Sequence, residues 1–360
     1  MACIVDNPDM ALASVWDIFC RVIDNLGDLG VCWRLSRQLA RRGVQVRLWL
    51  DDDAALRWMA PQGCPGVEVR PWTQPLDLDR ITPGQVLIEA FGCEIPAVFV
   101  EAFAVQSQRH PSAWINLEYL SAQPYVERSH RLPSPVLSGP GRGLTKHFFY
   151  PGFTPRTGGL LREPDLVQRQ NGFHAASWLA QHGITTRPDE CLASLFCYEP
   201  HALPDLLVRL ARHPSHLLVT AGRATEAVRA CQVPAGLRLS YLPYLEQDDF
   251  DHLLWSCDIN FVRGEDSLVR GLWAGKPLVW QLYPQQDLAH HAKLAAFLDW
   301  LDAPPGLREM HKCWNQVGAA RMPALDLAAW RDTVHQARQR LLEQSDLLTQ
   351  LLEFVAHVTR

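Results

Sequence analysis

Twice along this 360-residue chain, short apolar runs rich in Val, Ile and Leu alternate with amphipathic helical stretches. That alternation limits the fold more than any other feature. In the first half "VWDIFCRV" reads as a buried strand and "DLGVCWRLSRQLARRG" as a helix. Val31, Leu35 and Leu39 recur in that helix at spacing four, with Gly43 as its stop. "VQVRLWL" is the next strand, and "VEVRPW", "QVLIEAF" and "AWINLEYL" continue the series. In the second half "CLASLFCYE", "SHLLVTAG", "LRLSYLPYL", "DINFVRG" and "PLVWQLYP" alternate with helices such as "ALPDLLVRLARHP", "DDFDHLLWSC" and "EDSLVRGLWAG". Strand–helix–strand units close by right-handed crossovers into parallel sheets, so two runs predict two doubly wound α/β domains. At roughly 150 residues per domain the length agrees. Residues 121–160 are dense in Pro, Gly and Ser and read as a long surface loop. A helical stretch near 163–183 follows, and the tail from about 286 is helical. Facing α/β domains place the default site in the cleft between them.

The charge balance narrows the partners. Lys plus Arg number 34 against 39 Asp plus Glu, a net charge of −5, which supplies no general drive toward nucleic acid. No apolar run reaches the length of a membrane span, and the acidic start "MACIVDNPDMALAS" lacks the basic region of a secretory signal. The first fourteen or so residues read as a frayed extension. Ten scattered cysteines form no CxxC pair, and those in apolar strands (Cys20, Cys191, Cys197) read as small buried hydrophobes. A cytoplasmic protein is expected. The only histidine doublet, His290–His291, fits a helix face, and no metal site is assigned.

Two strand ends carry the chemistry. In "FVRGEDSLVRG" a strand ends at Phe261–Val262, Gly264 permits a sharp turn, and Glu265, Asp266 and Ser267 open a helix. The free N–H groups of that helix, the Ser267 hydroxyl and the Arg263 charge make a seat for a diphosphate. The same acids also suit a plain capped helix. The other strand end, "VIDNLGDLG" at 22–30, has only Gly27-x-x-Gly30 where a dinucleotide loop needs three glycines, and Asp28 would repel a phosphate. Asp28 reads either as a capping acid or, with Asp24 one turn away, as a carboxylate aimed at a cationic or protic acceptor. One carboxylate near a helix N-terminus stays ionised and suits a general base. Phe196 and Tyr198 end a strand and Phe250 opens a helix. They read as core, or as stacking partners for a base whose edge Gln247 could hydrogen-bond.

The stretches "WDIFCRVIDNLGDLGVCWRLSRQLA", "WINLEYLSA", "LFCYE", "FVRGEDS", "WAGKPLVW" and "YPQ" occur in matching order in one family. On them the chain resembles the protein-arginine rhamnosyltransferases of bacterial elongation factor P, from about Trp16 to near the C-terminus. The resemblance implies a GT-B fold. An N-terminal Rossmann-like domain would span 15–184, joined by a C-terminal helix at about 340–360, and a nucleotide-sugar domain would span 185–339. It implies inverting transfer of L-rhamnose from dTDP-β-L-rhamnose to one loop arginine of elongation factor P, with no metal or cofactor, no nucleic acid and no membrane. The modified factor then acts on polyproline-stalled ribosomes. By position, Asp28 resembles the general base and Asp24 the aspartate that helps hold the acceptor. Asn25, Leu26, Gly27 and Asp28 line the sugar side. Tyr198, Gln247 and Arg263, Gly264, Glu265, Asp266 and Ser267 resemble donor contacts, with Glu265 needed for activity. Phe196 and Phe250 resemble the thymine-stacking pair. Leu26, Gln123 and Gln281 depart from the usual residues.

A carboxylate pair is a natural clamp for a guanidinium, so anions would gather at the second domain and the acceptor cation at the first. Two other readings share the fold or the acids. One is a GT-B transferase or epimerase using a different nucleotide sugar. The other is a non-catalytic module that grips an arginine loop.

Overall fold

The computed structural model describes residues 14–23, 26–72, 75–79, 81–284, 288–318 and 321–360. Seven strands form the first sheet: β1 (Val15–Cys20), β2 (Gln45–Leu50), β3 (Val67–Pro71), β4 (Val86–Ala90), β5 (Ala113–Leu117), β6 (Pro133–Pro135) and β7 (Thr145–Phe149). Five form the second: β8 (Cys191–Leu195), β9 (Ser215–Val219), β10 (Leu237–Tyr241), β11 (Ile259–Arg263) and β12 (Leu278–Gln281). The sheet orders are β3-β2-β1-β4-β5-β7-β6 and β10-β9-β8-β11-β12. All pairs are parallel except β6 with β7. Each sheet therefore reverses its winding once, between β1 and β4 and between β8 and β11. Such a switch point opens a crevice at the carboxyl ends of its strands. The chain leaves β1 after Cys20 at the first crevice and leaves β11 after Arg263 at the second.

The stretch expected to be a surface loop is more ordered than its composition suggests. It contains a helix, Pro124–Ser129, and the β6–β7 hairpin, which adds β7 in parallel to β5. Proline cannot donate to a ladder, so Pro133 and Pro135 are tolerated because β6 is the sheet edge. Residues 151–153 and 157–161 are buried. Leu120, Phe153 and Leu160 enter the second sheet's core, whereas Phe149 and Leu161 enter the first. The expected helix near 163–183 is two, Leu166–Asn171 and Ala175–Gln181, interrupted at Gly172. The helical tail forms Ala289–Trp300, Pro305–Trp314, Leu327–Leu342 and Leu347–Val358. The last of these returns to the first sheet, where Leu347, Leu348, Leu351, Phe354 and Val355 complete its core.

The helix Gly27–Arg41 is apolar toward its own sheet through Leu29, Cys32, Leu35 and Leu39, all fully buried. Its opposite side meets the helices Gln247–Ser256 and Gly264–Ala274 of the second half. A Cβ on Gly30 would lie 3.0 Å from Asp266 Oδ2 and 3.3 Å from its Cγ, so glycine sets how closely these helices approach. Gly30→Val is expected to lose about 1–3 kcal/mol through overpacking. A denaturant titration with an unchanged midpoint would show that the crossing has room to spare.

Candidate active site

A cleft lies between the two carboxyl edges. Of the residues expected there, Leu26 and Gly27 wall it from the first half, and Phe196, Gln247, Phe250, Arg263, Asp266 and Ser267 from the second. Asp24 and Asn25 lie outside the described residues. Tyr198, Gly264, Glu265 and Asp28 are not on this wall, although each adjoins a residue that is or helps to hold one.

Arg263 is the fixed point. It ends β11 with its guanidinium 4.5 Å from the Phe196 ring centroid and 4.6 Å from that of Tyr198, and Nη1 donates to Cys197 O at 3.1 Å. Tyr198, only 1 % exposed, therefore supports Arg263 from behind. Its backbone N–H is held by Gln281 Oε1 at 2.8 Å, which gives that departing residue a role. Phe196 and Phe250 meet edge to face at 5.3 Å and 68°, so they touch each other rather than facing in parallel. Ser267 Oγ accepts from Arg263 N at 3.1 Å and bonds Arg263 O, closing the first helical turn. Gly264, at φ +69°, makes the sharp turn, and its carbonyl accepts from Trp280 Nε1 at 2.8 Å.

Two acids at the start of a helix would oppose an anion there, but both are matched by cations. Glu265 Oε1 binds the Lys293 ammonium, and Oε2 accepts from Leu120 N at 2.7 Å, which carries it across to the first half. Asp266 pairs with Arg34 Nε at 3.1 Å. Burial pushes the Asp266 carboxyl above its ordinary value, against the pull of Arg34 and Arg270. With the acids compensated, the helix N-terminus and Arg263 leave the turn electropositive.

Arg34, 2 % exposed, reaches out of the first helix into a buried network. It meets Asp251 at 3.1 Å and Glu163 at 3.6 Å. Arg270 binds the same two acids at 2.6 Å and 2.8 Å. Burial alone would raise the Glu163 carboxyl, but the Arg270 and Arg34 guanidiniums hold it well below the usual carboxylate range. Gln247 joins the same seam. Its carbonyl oxygen accepts from Arg34 Nη2 at 3.4 Å, and its side-chain amide donates to Gly30 O at 3.1 Å. Its Oε1 is buried with no hydrogen-bond partner among the described residues.

Asp28, 6 % exposed, sits in the first turn of its helix, and its Oδ2 accepts from Ile23 N at 3.2 Å. The charges of Asp28 and Glu265 both act on the Tyr119 hydroxyl. Sequence reasoning missed the far wall of the cleft: Trp58 and Met59 from the first half, and Thr220, Ala221 and Tyr244 from the second. Trp58 and Tyr244 touch across it, ring centroids 4.6 Å apart. The described residues include no group of three or more His, Cys, Asp or Glu able to hold a metal. They include no helix long and apolar enough to cross a membrane, and their nine cysteines are free thiols.

Two doubly wound sheets facing each other across a cleft form the GT-B fold of glycosyltransferases. The spinosyn forosaminyltransferase SpnP shares that fold, with a TM-score of 0.52 over 97 % of this chain and 100 % of its own at 12 % identity. More specifically, the profile described as "Elongation-Factor P (EF-P) rhamnosyltransferase EarP" matches residues 16–356. The protein-arginine rhamnosyltransferase of Pseudomonas aeruginosa is 42 % identical, covering 95 % of this chain and 98 % of that protein. A solved structure described as the structural basis for EarP-mediated arginine glycosylation of translation elongation factor EF-P aligns with a TM-score of 0.65 and 30 % identity. It covers 96 % of this chain and 99 % of that one. The chain belongs to the EarP family of EF-P rhamnosyltransferases.

Proposed function

We propose that the protein transfers L-rhamnose from dTDP-β-L-rhamnose to one arginine side chain of elongation factor P in the cytoplasm, with inversion at C1. What supports this reading is an electropositive turn on the cleft wall, made by Arg263 and a charge-compensated helix N-terminus, with the buried Asp28 carboxylate directly after Gly27 of the same wall.

The donor diphosphate sits at the Gly264 turn, where backbone N–H groups and Arg263 meet the negative charge that grows on the leaving dTDP. Gln247 Oε1, buried and without a partner on the wall of the cleft, suits the N3–H of a pyrimidine. Because Phe196 and Phe250 already touch, the base lies on a ring face, with Phe250 the stacking residue. An arginine is protonated below about pH 12, so Asp28 does not deprotonate it in advance. Asp28 instead accepts the guanidinium proton as the N–C1 bond forms and the C1–O bond to the diphosphate breaks. Attack from the face opposite a β-linked leaving group yields the α-linked sugar.

Intact-mass measurement of elongation factor P after incubation with the protein and dTDP-β-L-rhamnose tests the whole reading. A gain of one deoxyhexose located on arginine is expected, and an unchanged mass would sink it. Thermal shifts with dTDP, UDP and GDP test the donor, and a larger shift with UDP than with dTDP would point to another nucleotide sugar. For the base site, Phe250→Ala is expected to weaken dTDP binding about tenfold, in keeping with ~1–3 kcal/mol per stacked base. Calorimetry giving the wild-type dissociation constant would remove Phe250 from the site.

A further inference from the structure

Three neighbouring strands, β1, β4 and β5, release their chains at the same edge of the first sheet. Asp28 follows the first of them. Phe91 follows β4 and Tyr119 follows β5, and the two strands pair with Ala90 opposite Leu117. Phe91 has φ +58°, a left-handed conformation that a bulky side chain rarely adopts. Its N–H donates to Leu117 O at 2.7 Å, which holds the strained residue in place. The result is a ring stacked on Tyr119, with centroids 4.6 Å apart and planes 21° apart. Such strain persists where the surroundings over-determine it, and it concentrates at ligand sites.

The pair is also accessible. Tyr119 is 36 % exposed, and a small gap beside it is lined by Phe91, Glu118, Leu120 and Glu265. The setting is cation-seeking. The Lys293 ammonium already lies 5.7 Å from the Tyr119 ring centroid. Burial chiefly, with smaller contributions from the Asp28 and Glu265 charges, pushes the Tyr119 hydroxyl above its ordinary value. Glu118 adds a third acid, oriented by Asn116 Nδ2 at 2.9 Å.

We propose that the stacked Phe91–Tyr119 pair, with the adjoining Glu118 carboxylate, selects a guanidinium at the acceptor position. The inference rests on the reading that the acceptor is an arginine. A guanidinium is flat and weakly hydrated, so it gains from an aromatic face, while its in-plane N–H groups remain free for carboxylates. A lysine ammonium is compact and strongly hydrated and gains less from the same surface. The two rings thus supply a preference that carboxylates alone, which attract either cation, do not.

The test uses steady-state transfer to elongation factor P, dTDP titration and thermal melting on the same preparations. Tyr119→Leu is expected to raise the acceptor KM about tenfold, with dTDP affinity and melting point unchanged. Tyr119→Phe, which keeps the ring and drops the hydroxyl, is expected to stay within about twofold of wild type. Phe91→Leu gives a second, independent removal of one face, and it decides the matter if the Tyr119→Leu protein melts early. An unchanged acceptor KM in the leucine variants would overturn the proposal. So would a Tyr119→Phe protein as impaired as Tyr119→Leu, since the hydroxyl rather than the ring would then carry the effect. Failure of the underlying reading has a different signature: wild-type protein leaves the arginine of elongation factor P unmodified, which removes the inference with it.

Discussion

Asp28→Asn is expected to slow rhamnose transfer at least about 100-fold, the lower range for general acid–base catalysis, while the protein folds and binds dTDP as before. The structure separates these effects. Asp28 Oδ2 accepts a backbone N–H from Ile23, and an Asn carbonyl oxygen can accept the same bond, so the local turn survives. In the proposed reading the donor diphosphate is held by Arg263 and the Gly264 turn rather than by Asp28, so its affinity is expected to be unchanged. What disappears is the proton acceptor. Single-turnover transfer at saturating donor, with a dTDP titration of the same sample, measures both. A variant that transfers at the wild-type rate would reduce Asp28 to a helix-capping acid.

The largest stability effect is expected at Arg34. Arg34→Met removes one partner from a buried network and leaves Asp266 and part of Asp251 without their counter-charge. Breaking such a pair costs about 3–5 kcal/mol. At about 2–4 °C per kcal/mol for a domain of this size, the melting point falls by roughly 6–20 °C. Under the proposed donor site, dTDP binding is expected to weaken as well, because Asp266 then places an uncompensated negative charge at the start of the helix that would seat the diphosphate. The pH dependence distinguishes charge from packing. Burial already holds the Asp266 carboxyl above its ordinary value, and losing Arg34 raises it further. A carboxyl raised in the folded state takes up its proton more readily there than in the unfolded chain. Its contribution is therefore present at low pH and is lost as pH rises through the folded value. The gap between variant and wild type should thus narrow from pH 7 to pH 5. Glu163 behaves oppositely. Its depressed carboxyl keeps its full contribution above the ordinary carboxylate value and surrenders it only in strong acid. An equal gap at both pH values would assign the loss to missing methylene packing.

The strand–helix alternation was legible because each unit signals itself locally: an apolar run, a turn, an amphipathic helix. The Gly264 turn was legible for the same reason. The β6–β7 hairpin was not. Two of the three residues of its edge strand are proline, and the glycines around it carry no strand propensity, so only the neighbouring β5 reveals it. Arg34 shows a different limit. Its partner Asp266 is 232 residues away, and nothing local marks a helical arginine as buried. A faint signal did exist, since Arg34, Gln38 and Arg41 form a polar stripe on a helix otherwise built for a core. Tyr198 reads as core or as a stacking partner from its place at a strand end, and only the folded structure reveals that its ring packs against Arg263 and Arg223. The Trp58–Tyr244 contact has no sequence signal, because the two residues belong to segments that meet only when both sheets are formed.

The final helix has a consequence for how this chain is made. Leu347, Leu351 and Phe354 fill the same core as Ile18, Leu48 and Ile88. A ribosome delivers them about 200 residues after it finishes the first sheet, on the order of ten to forty seconds later at ~5–20 residues per second. Throughout that interval the nascent first half carries an open apolar face, and the second half closes its own core only with Trp330, Val334, Ala337 and Leu341, just before Leu347. The part synthesised first is therefore the last to mature. A chain that stops short of Leu347 forfeits the beginning of the protein rather than its end.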